Sequence, residues 1–443
     1  MNARTLIAGA AAVLAAAATA TALATSSALA TATAAPATVL AGSGQPSGAL
    51  PASAAVQSSA AHYPATPAIA AAAARPAASC TEPNCDVTYH GGPVMRSPRV
   101  YLYFWGPKWK SAAAEKGAMN YLVRFYQGLG ATPDAWPLTA AQYRSSQGGP
   151  AFGRPLYAGA KVDTTKPQAS VTLTDFVKEA DKARKAFGVT VGNLQNSLIV
   201  IAPQSGTCFA VQTDGGNFIG NCGKDTGVTA GYCAFHDYDL YQTGTTRRFL
   251  PWINVPFQLD AGTGCGEGFV NKPGTYDGFS LAAGHETMEA IADPTVSAWY
   301  DAQDKVSGGG EIADKCAWGG AAWGGHDPIG DITLRTGTFA MQSLWSNAAG
   351  ACVMSGKLSL TVATPAKHKS AVGAHVSLQI SARLGGHAPL TYKAAGLPRG
   401  LSIGVHSGKI TGTVKSPKGT FHPKITVSYF AGSATVTFAW VVS

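Results

Sequence analysis

Two charge-free runs, Val100–Trp105 (VYLYFW) and Ser197–Ala202 (SLIVIA), constrain this chain most. They are mostly aromatic, aliphatic or β-branched, the pattern of strands covered on both faces. Around them the apolar period becomes helical. In Ser111–Leu129, the residues Ala118, Tyr121, Leu122 and Phe125 share one face. Leu173–Phe187 repeats that pattern behind Thr172 or Thr174 as a cap. Phe279–Ala292 forms a third helix that stops before Asp293-Pro294, because a residue preceding proline disfavours the right-handed helical region. Phe249–Phe257 (FLPWINVPF) is extended, its two prolines pointing to a sheet edge or a bulge. Strands alternating with helices predict an α/β layered domain over residues 80–356.

Near Cys352–Lys357 the pattern changes. Short alternating strands follow at Leu358–Ala363, His375–Ala382, Leu390–Ala394, Lys409–Val414, Ile425–Phe430 and Ala434–Val442, with turn residues between them. This predicts an all-β sandwich over residues 357–443. The segment holds ten Lys or Arg and no Asp or Glu, whereas the whole chain carries a formal charge of +9, so the remainder comes to about −1. A basic module of this kind suits an anionic envelope polymer as partner, or is simply well solvated.

The first 35 residues read as an export signal: Arg4, then the apolar, Ala-rich run Leu6–Ala24, then small residues with cleavage expected near Ala34 or Ala35. A membrane span is the alternative, but the run passes into Thr, Ser and Ala with no basic stop signal. Residues 36–79, rich in Ala, Pro, Ser and Thr, bury too little apolar surface to order and read as a linker. Eight cysteines fit an oxidising compartment and four disulfides. Neighbour pairing gives 80–85, 208–222, 233–265 and 316–352, although sequence alone does not fix connectivity. No CxxC pair is present to suggest a thiolate zinc site.

The sharpest chemical signal is His285-Glu286-Thr287-Met288-Glu289. Residues i and i+4 share a helix face, so His285 and Glu289 are candidate ligands of one metal, with Glu286 beside them as a base. This is the HExxH zinc pattern with Glu in place of the second His, an exchange that zinc chemistry tolerates. A third ligand is expected from Gly310–Cys316: Asp314 first, Glu311 in reserve, held in place by a disulfide at Cys316. His236 and Asp237 are further candidates. The bland alternative is a helix with two exposed carboxylates. Against it stand the apolar neighbours Leu281, Ala282, Ala283, Ala290 and Ile291, since burying a His and two acids is costly without a metal or hydrogen bonds. His90 is read as a turn histidine and His326 as exposed. Trp105, Trp109, Trp299, Trp318, Trp323 and Trp345 are read as core before groove. No phosphate-binding glycine loop or serine-hydrolase elbow stands in a strand–turn–helix context. The basic module lacks the interleaved aromatics of a nucleic-acid surface.

Two resemblances go with these residues. Pro389–Tyr392, Gly396–Ile403 and Gly408–Thr413 resemble the immunoglobulin-like domain appended to many bacterial surface proteins. That implies a spacer or adhesive module and gives fold, not function. Tyr89–Val94, Tyr101–Gly106, Gly231–His236, Gly284–Tyr300 and Gly310–Trp318 resemble a group of secreted actinobacterial proteins. That group is distantly similar to the plant phosphate-induced, EXORDIUM-like extracellular proteins. The plant proteins lack the His285-Glu286 pair and bring no catalysis with them. The order of strands and helix also suits a zincin-like fold. The expectation is therefore a secreted, extracellular or wall-associated zinc-dependent hydrolase, most readily a peptidase. In it His285, Glu289 and Asp314 (or Glu311) hold zinc, and Glu286 is the base. The rival is a non-enzymatic protein that binds cell-wall or plant glycan.

Overall fold

The computed structural model describes residues 86–212, 218–220, 232–243, 246–303, 310–319 and 328–443. The expected signal (1–35), the linker (36–79), Cys80, Cys85, Cys222, Trp323 and His326 lie outside them.

Both charge-free runs form strands: β1 (Arg99–Trp105), and β3 (Ser197–Pro203), which is buried along its whole length. Between them come α1 (Ala113–Gly128), β2 (Tyr157–Asp163) and α2 (Leu173–Ala186). After them come β4 (Phe235–Thr243), β5 (Thr246–Asn254) and α3 (Asp277–Ala292). The sheet runs β2-β1-β3-β5-β4, parallel except for the antiparallel edge strand β4.

Alternation along β1 sorts its side chains to two cores. Val100, Leu102 and Phe104 pack with Leu122, Phe125 and Tyr126 of α1 and with Phe279, Ala283 and Met288 of α3. Tyr103 and Trp105 pack with Phe176, Ala180 and Ala183 of α2. The sheet is thus the middle of three layers. Thr172 caps α2: its hydroxyl accepts the Asp175 N–H, and Asp175 accepts the Thr172 N–H in return.

β5 corrects the edge expectation, because it lies between β3 and β4. Pro251 is nevertheless tolerated. The β3 ladder begins only at Trp252, so Pro251 has a strand neighbour on the β4 side alone.

Two hairpins follow α3. The first pairs β6 (Ile329–Leu334) with β7 (Gly337–Gln342), and the second pairs β8 (Leu344–Ser346) with β9 (Ala351–Val353). Cys233–Cys265 and Cys316–Cys352 are bonded as neighbour pairing predicts, and Cys208 is also in a disulfide. Among the described residues, no helix is long and apolar enough to cross a membrane.

The C-terminal region is all β. Its sheets pair His375–Gln379 with Lys409–Thr413 and Thr391–Ala395 with Lys424–Tyr429. Trp440, Ile410, Ile425 and Val427 are fully buried at its core. The single strand expected at Ala434–Val442 is two in the structure, Gly432–Thr437 and Trp440–Val442, which belong to separate sheets.

Candidate metal centre

Helix α3 is buried along all 16 residues. Its small residues allow close packing on every side. A Cβ on Gly284 would sit 2.5 Å from Met341 Cε, so glycine here lets β7 come against the helix. That approach delivers the next residue, Gln342, to His285.

The His285 Nδ1 lies 3.2 Å from Gln342 Oε1. Gln342 Nε2 donates to the Ala313 carbonyl at 2.8 Å, which turns Oε1 toward the imidazole. The hydrogen-bond network therefore places a proton on Nδ1, so Nε2 is the nitrogen that a metal would take in place of its proton. That Nε2 faces Glu289 Oε1 at 3.2 Å and Asp314 Oδ1 at 3.3 Å. The predicted trio converges, and its ligand atoms lie within 4.8 Å of one another.

Asp314 is carried by a short 3-10 turn, Asp314–Gly319, that the Cys316–Cys352 bond ties to β9. The Trp345 N–H of β8 also donates to the Ile312 carbonyl at 2.7 Å. Glu289 reaches the same turn, its Oε1 accepting the N–H groups of Ala313 at 3.2 Å and Asp314 at 2.9 Å.

His236 enters from edge strand β4. Its Nε2 lies 3.3 Å from the Asp293 carbonyl, and its Nδ1 lies 3.1 Å from Glu286 Oε2 and 3.8 Å from Glu289 Oε2. His236, Glu286 and Glu289 thus form a second convergent trio. Glu311 Oε1 is 3.8 Å from His236 Nε2. Asp237 is not in the cluster. Strand alternation turns it away from His236, and its Oδ1 accepts the Tyr238 N–H at 2.7 Å.

His285, Glu286 and Glu289 are 0% exposed, which overturns the reading of two solvent-facing acids. Burial raises the Glu311 carboxyl far above its usual range, helped by the charge of Glu289, and lifts Asp314 to about 7. Burial also raises Glu286; it pushes Glu289 the same way, but His285, His236 and the Asp314 N–H together lower it. Burial opposes a proton on His236, but the hydrogen bond with Glu286 and the charges of Glu286, Glu289 and Asp293 together carry it to about 9. Burial likewise opposes a proton on His285, which Glu289, Asp314 and Glu286 together raise.

These shifts come from burial first and from the packing of four acids around two imidazoles second. Lys315, the nearest cation in sequence, pairs instead with Asp301 at 2.8 Å. Among the described residues, Glu286 Oε1, Glu289 Oε2 and both Glu311 oxygens have no hydrogen-bond partner. Buried carboxylate oxygens in that state are costly, and a cation is what a set of nitrogen and carboxylate donors accepts. The residues present therefore fit a metal.

Asp293 is set apart from this group. Its carboxylate accepts the N–H groups of Ser297, Ala298 and Trp299 at 2.6–3.1 Å, although burial still raises it to about 6. His90 behaves as a turn histidine, stacked on Tyr300 with ring centroids 3.8 Å apart and bonded to Thr88. Trp105, Trp109 and Trp345 are core residues. Sequence reasoning overlooked Gln342 and ranked His236 only among the reserves. A lone amide ending the run Phe339-Ala340-Met341 was the available signal for Gln342.

Residues 359–443 match the family model described as "Putative Ig domain" (He_PIG). No curated protein matches the chain. Among solved structures, the chain is similar to a protein described as an alpha-galactosidase from Bacteroides fragilis, at 18% identity and TM-score 0.18, over 19% of this chain and 17% of that one. It is also similar to a SusE-like surface-located polysaccharide-binding protein of Bacteroides thetaiotaomicron, at 16% identity and TM-score 0.17, over 25% and 17%. The titin M3 domain matches at 20% identity and TM-score 0.16, over 20% of this chain and 99% of the domain. The chain thus spans 17% of the length of the first two proteins.

Proposed function

We propose that the α/β part is a metal-dependent hydrolase of zincin-like build, acting outside the cell on an extracellular polymer, a peptide bond foremost. One observation carries this reading: His285, Glu289 and Asp314 converge from a helix and a cystine-tethered turn. They would hold the cation, zinc first, which supplies Lewis acidity to a carbonyl and to water. The chain's own groups do the rest. Gln342 fixes the His285 tautomer, the N–H groups of Ala313 and Asp314 orient Glu289, and Glu286, raised by burial, is placed to take a proton. The test is metal analysis of the purified protein together with casein hydrolysis by wild type and Glu286→Gln. Stoichiometric zinc and a loss of activity in the variant are expected; metal-free protein rules the reading out.

Complete burial favours a second reading. A catalytic zinc keeps one position open, whereas a structural one is closed. Under that reading the metal is present, wild type and Glu286→Gln are equally inactive, and metal removal lowers thermal stability. The glycan-binding alternative rests on the basic C-terminal region, with Lys409, Lys415 and Lys418 exposed. It requires that changing these three to Glu abolish retention on anionic cell wall.

A further inference from the structure

The two convergent trios share Glu289, and the two oxygens of its carboxylate are divided between them. Oε1 faces His285 Nε2 at 3.2 Å, and Oε2 faces His236 Nδ1 at 3.8 Å. Glu286 spans the same pair, with Oε2 at 3.1 Å from His236 Nδ1 and Oε1 at 4.0 Å from His285 Nε2. Each imidazole has its outer nitrogen anchored, His285 by Gln342 and His236 by the Asp293 carbonyl, which leaves the inner nitrogen directed at the shared acids. Glu311 adds a fourth carboxylate, fully buried and with neither oxygen hydrogen-bonded among the described residues.

We propose that this centre takes two divalent cations, bridged by Glu289 and flanked by Glu286. His285 and Asp314 complete one site, and His236 with Glu286 completes the other, while Glu311 lies beyond the far nitrogen of the His236 ring as a further carboxylate. The proposal rests on the metal reading above and extends it. Geometry favours two ions over one, because the two trios converge separately and have only Glu289 in common. Glu286, Glu289, Glu311 and Asp314 are four carboxylates, and two divalent ions neutralise them with both imidazoles uncharged. One imidazole and several carboxylates per ion suit zinc or manganese. Two-metal sites of this kind hold their ions about 3.5–4 Å apart. In this arrangement Glu286 offers Oε2 to the second ion, and its Oε1, without a hydrogen-bond partner among the described residues, keeps the proton-accepting role proposed above.

The test uses the full chain. Metal content is measured after equilibration with zinc and removal of excess, and electron paramagnetic resonance is recorded after equilibration with manganese. Two zinc ions per chain are expected, with a broadened, exchange-coupled manganese signal in place of the isolated six-line pattern. His236→Ala should retain one ion and restore the six-line signal. The wild-type measurements stand without that variant should it fail to fold. One zinc per chain overturns the second site and leaves the proposed function intact. Two uncoupled manganese ions overturn the shared carboxylate. No metal at all overturns both readings.

Discussion

Gln342 and His285 meet at 3.2 Å, and the amide that touches the imidazole is itself held by the Ala313 carbonyl at 2.8 Å. One side chain thus links β7, α3 and the segment carrying Asp314. We predict that Gln342→Leu frees the His285 ring and lowers metal affinity by about 10–100-fold, the usual cost of losing such an outer partner. Competition with a chromophoric chelator measures it. Unchanged affinity would mean that the amide does not set the tautomer.

Glu311 gives a sharper sign. Its carboxylate is buried, and neither oxygen has a hydrogen-bond partner among the described residues. In metal-free protein, Glu311→Gln removes an acid that must take up a proton to stay buried, and should stabilise at neutral pH. In metal-loaded protein the same change removes a carboxylate that offsets the cation charge, and should destabilise. Thermal melts of both forms with and without chelator read the reversal. A substitution that shifts both in the same direction argues against a cation beside Glu311.

The elements of this fold were legible because their signals are local. An unbroken apolar run marks β3, and a Thr three residues ahead of Asp175 marks the start of α2. The His285, Glu289 and Asp314 trio was legible for a related reason: helix spacing fixes two members, and a nearby cysteine suggests how the third returns. His236 was harder, since its place depends on β4 turning back antiparallel at the sheet edge beside α3. Gln342 was invisible as a partner, because its meeting with His285 depends on how β7 packs across α3, where Met341 lies against Gly284.

A pH effect is expected away from the centre. On α2, Glu179 is buried beside Asp163, and Lys182 bonds Asp163 and lies 3.6 Å from Glu179. Burial raises Glu179 to about 8; it pushes Asp163 the same way, but hydrogen bonds with Lys182, Glu179 and Thr165 together bring Asp163 to about 2. A carboxyl raised on folding stabilises while protonated. Its contribution is complete below the unfolded value of 4.5 and is lost as pH rises through about 8. The melting temperature should therefore fall between pH 5 and pH 9, and Glu179→Gln should flatten that fall. An equally steep fall in the variant would place the titration elsewhere.

The Cys316–Cys352 bond connects stability to the site. It closes a loop with a sequence separation of 36, for which chain entropy gives about 4 kcal/mol. It also fixes the turn whose Asp314 faces His285 and whose N–H groups hold Glu289 Oε1. Replacing both cysteines with alanine should lower unfolding free energy by about 3–4 kcal/mol and weaken metal binding as well. The Cys233–Cys265 bond supplies the comparison, because it closes a loop of similar length, 32, and the nearest candidate ligand, His236, is held by the ladder of β4 with β5 instead of by a tethered turn. Removing it should lower stability by a similar amount and metal affinity by less. Denaturant unfolding and chelator competition on the two double variants separate the effects. Equal loss of affinity in both would mean that the turn is held by packing of Ile312 and Trp345, not by the cystine.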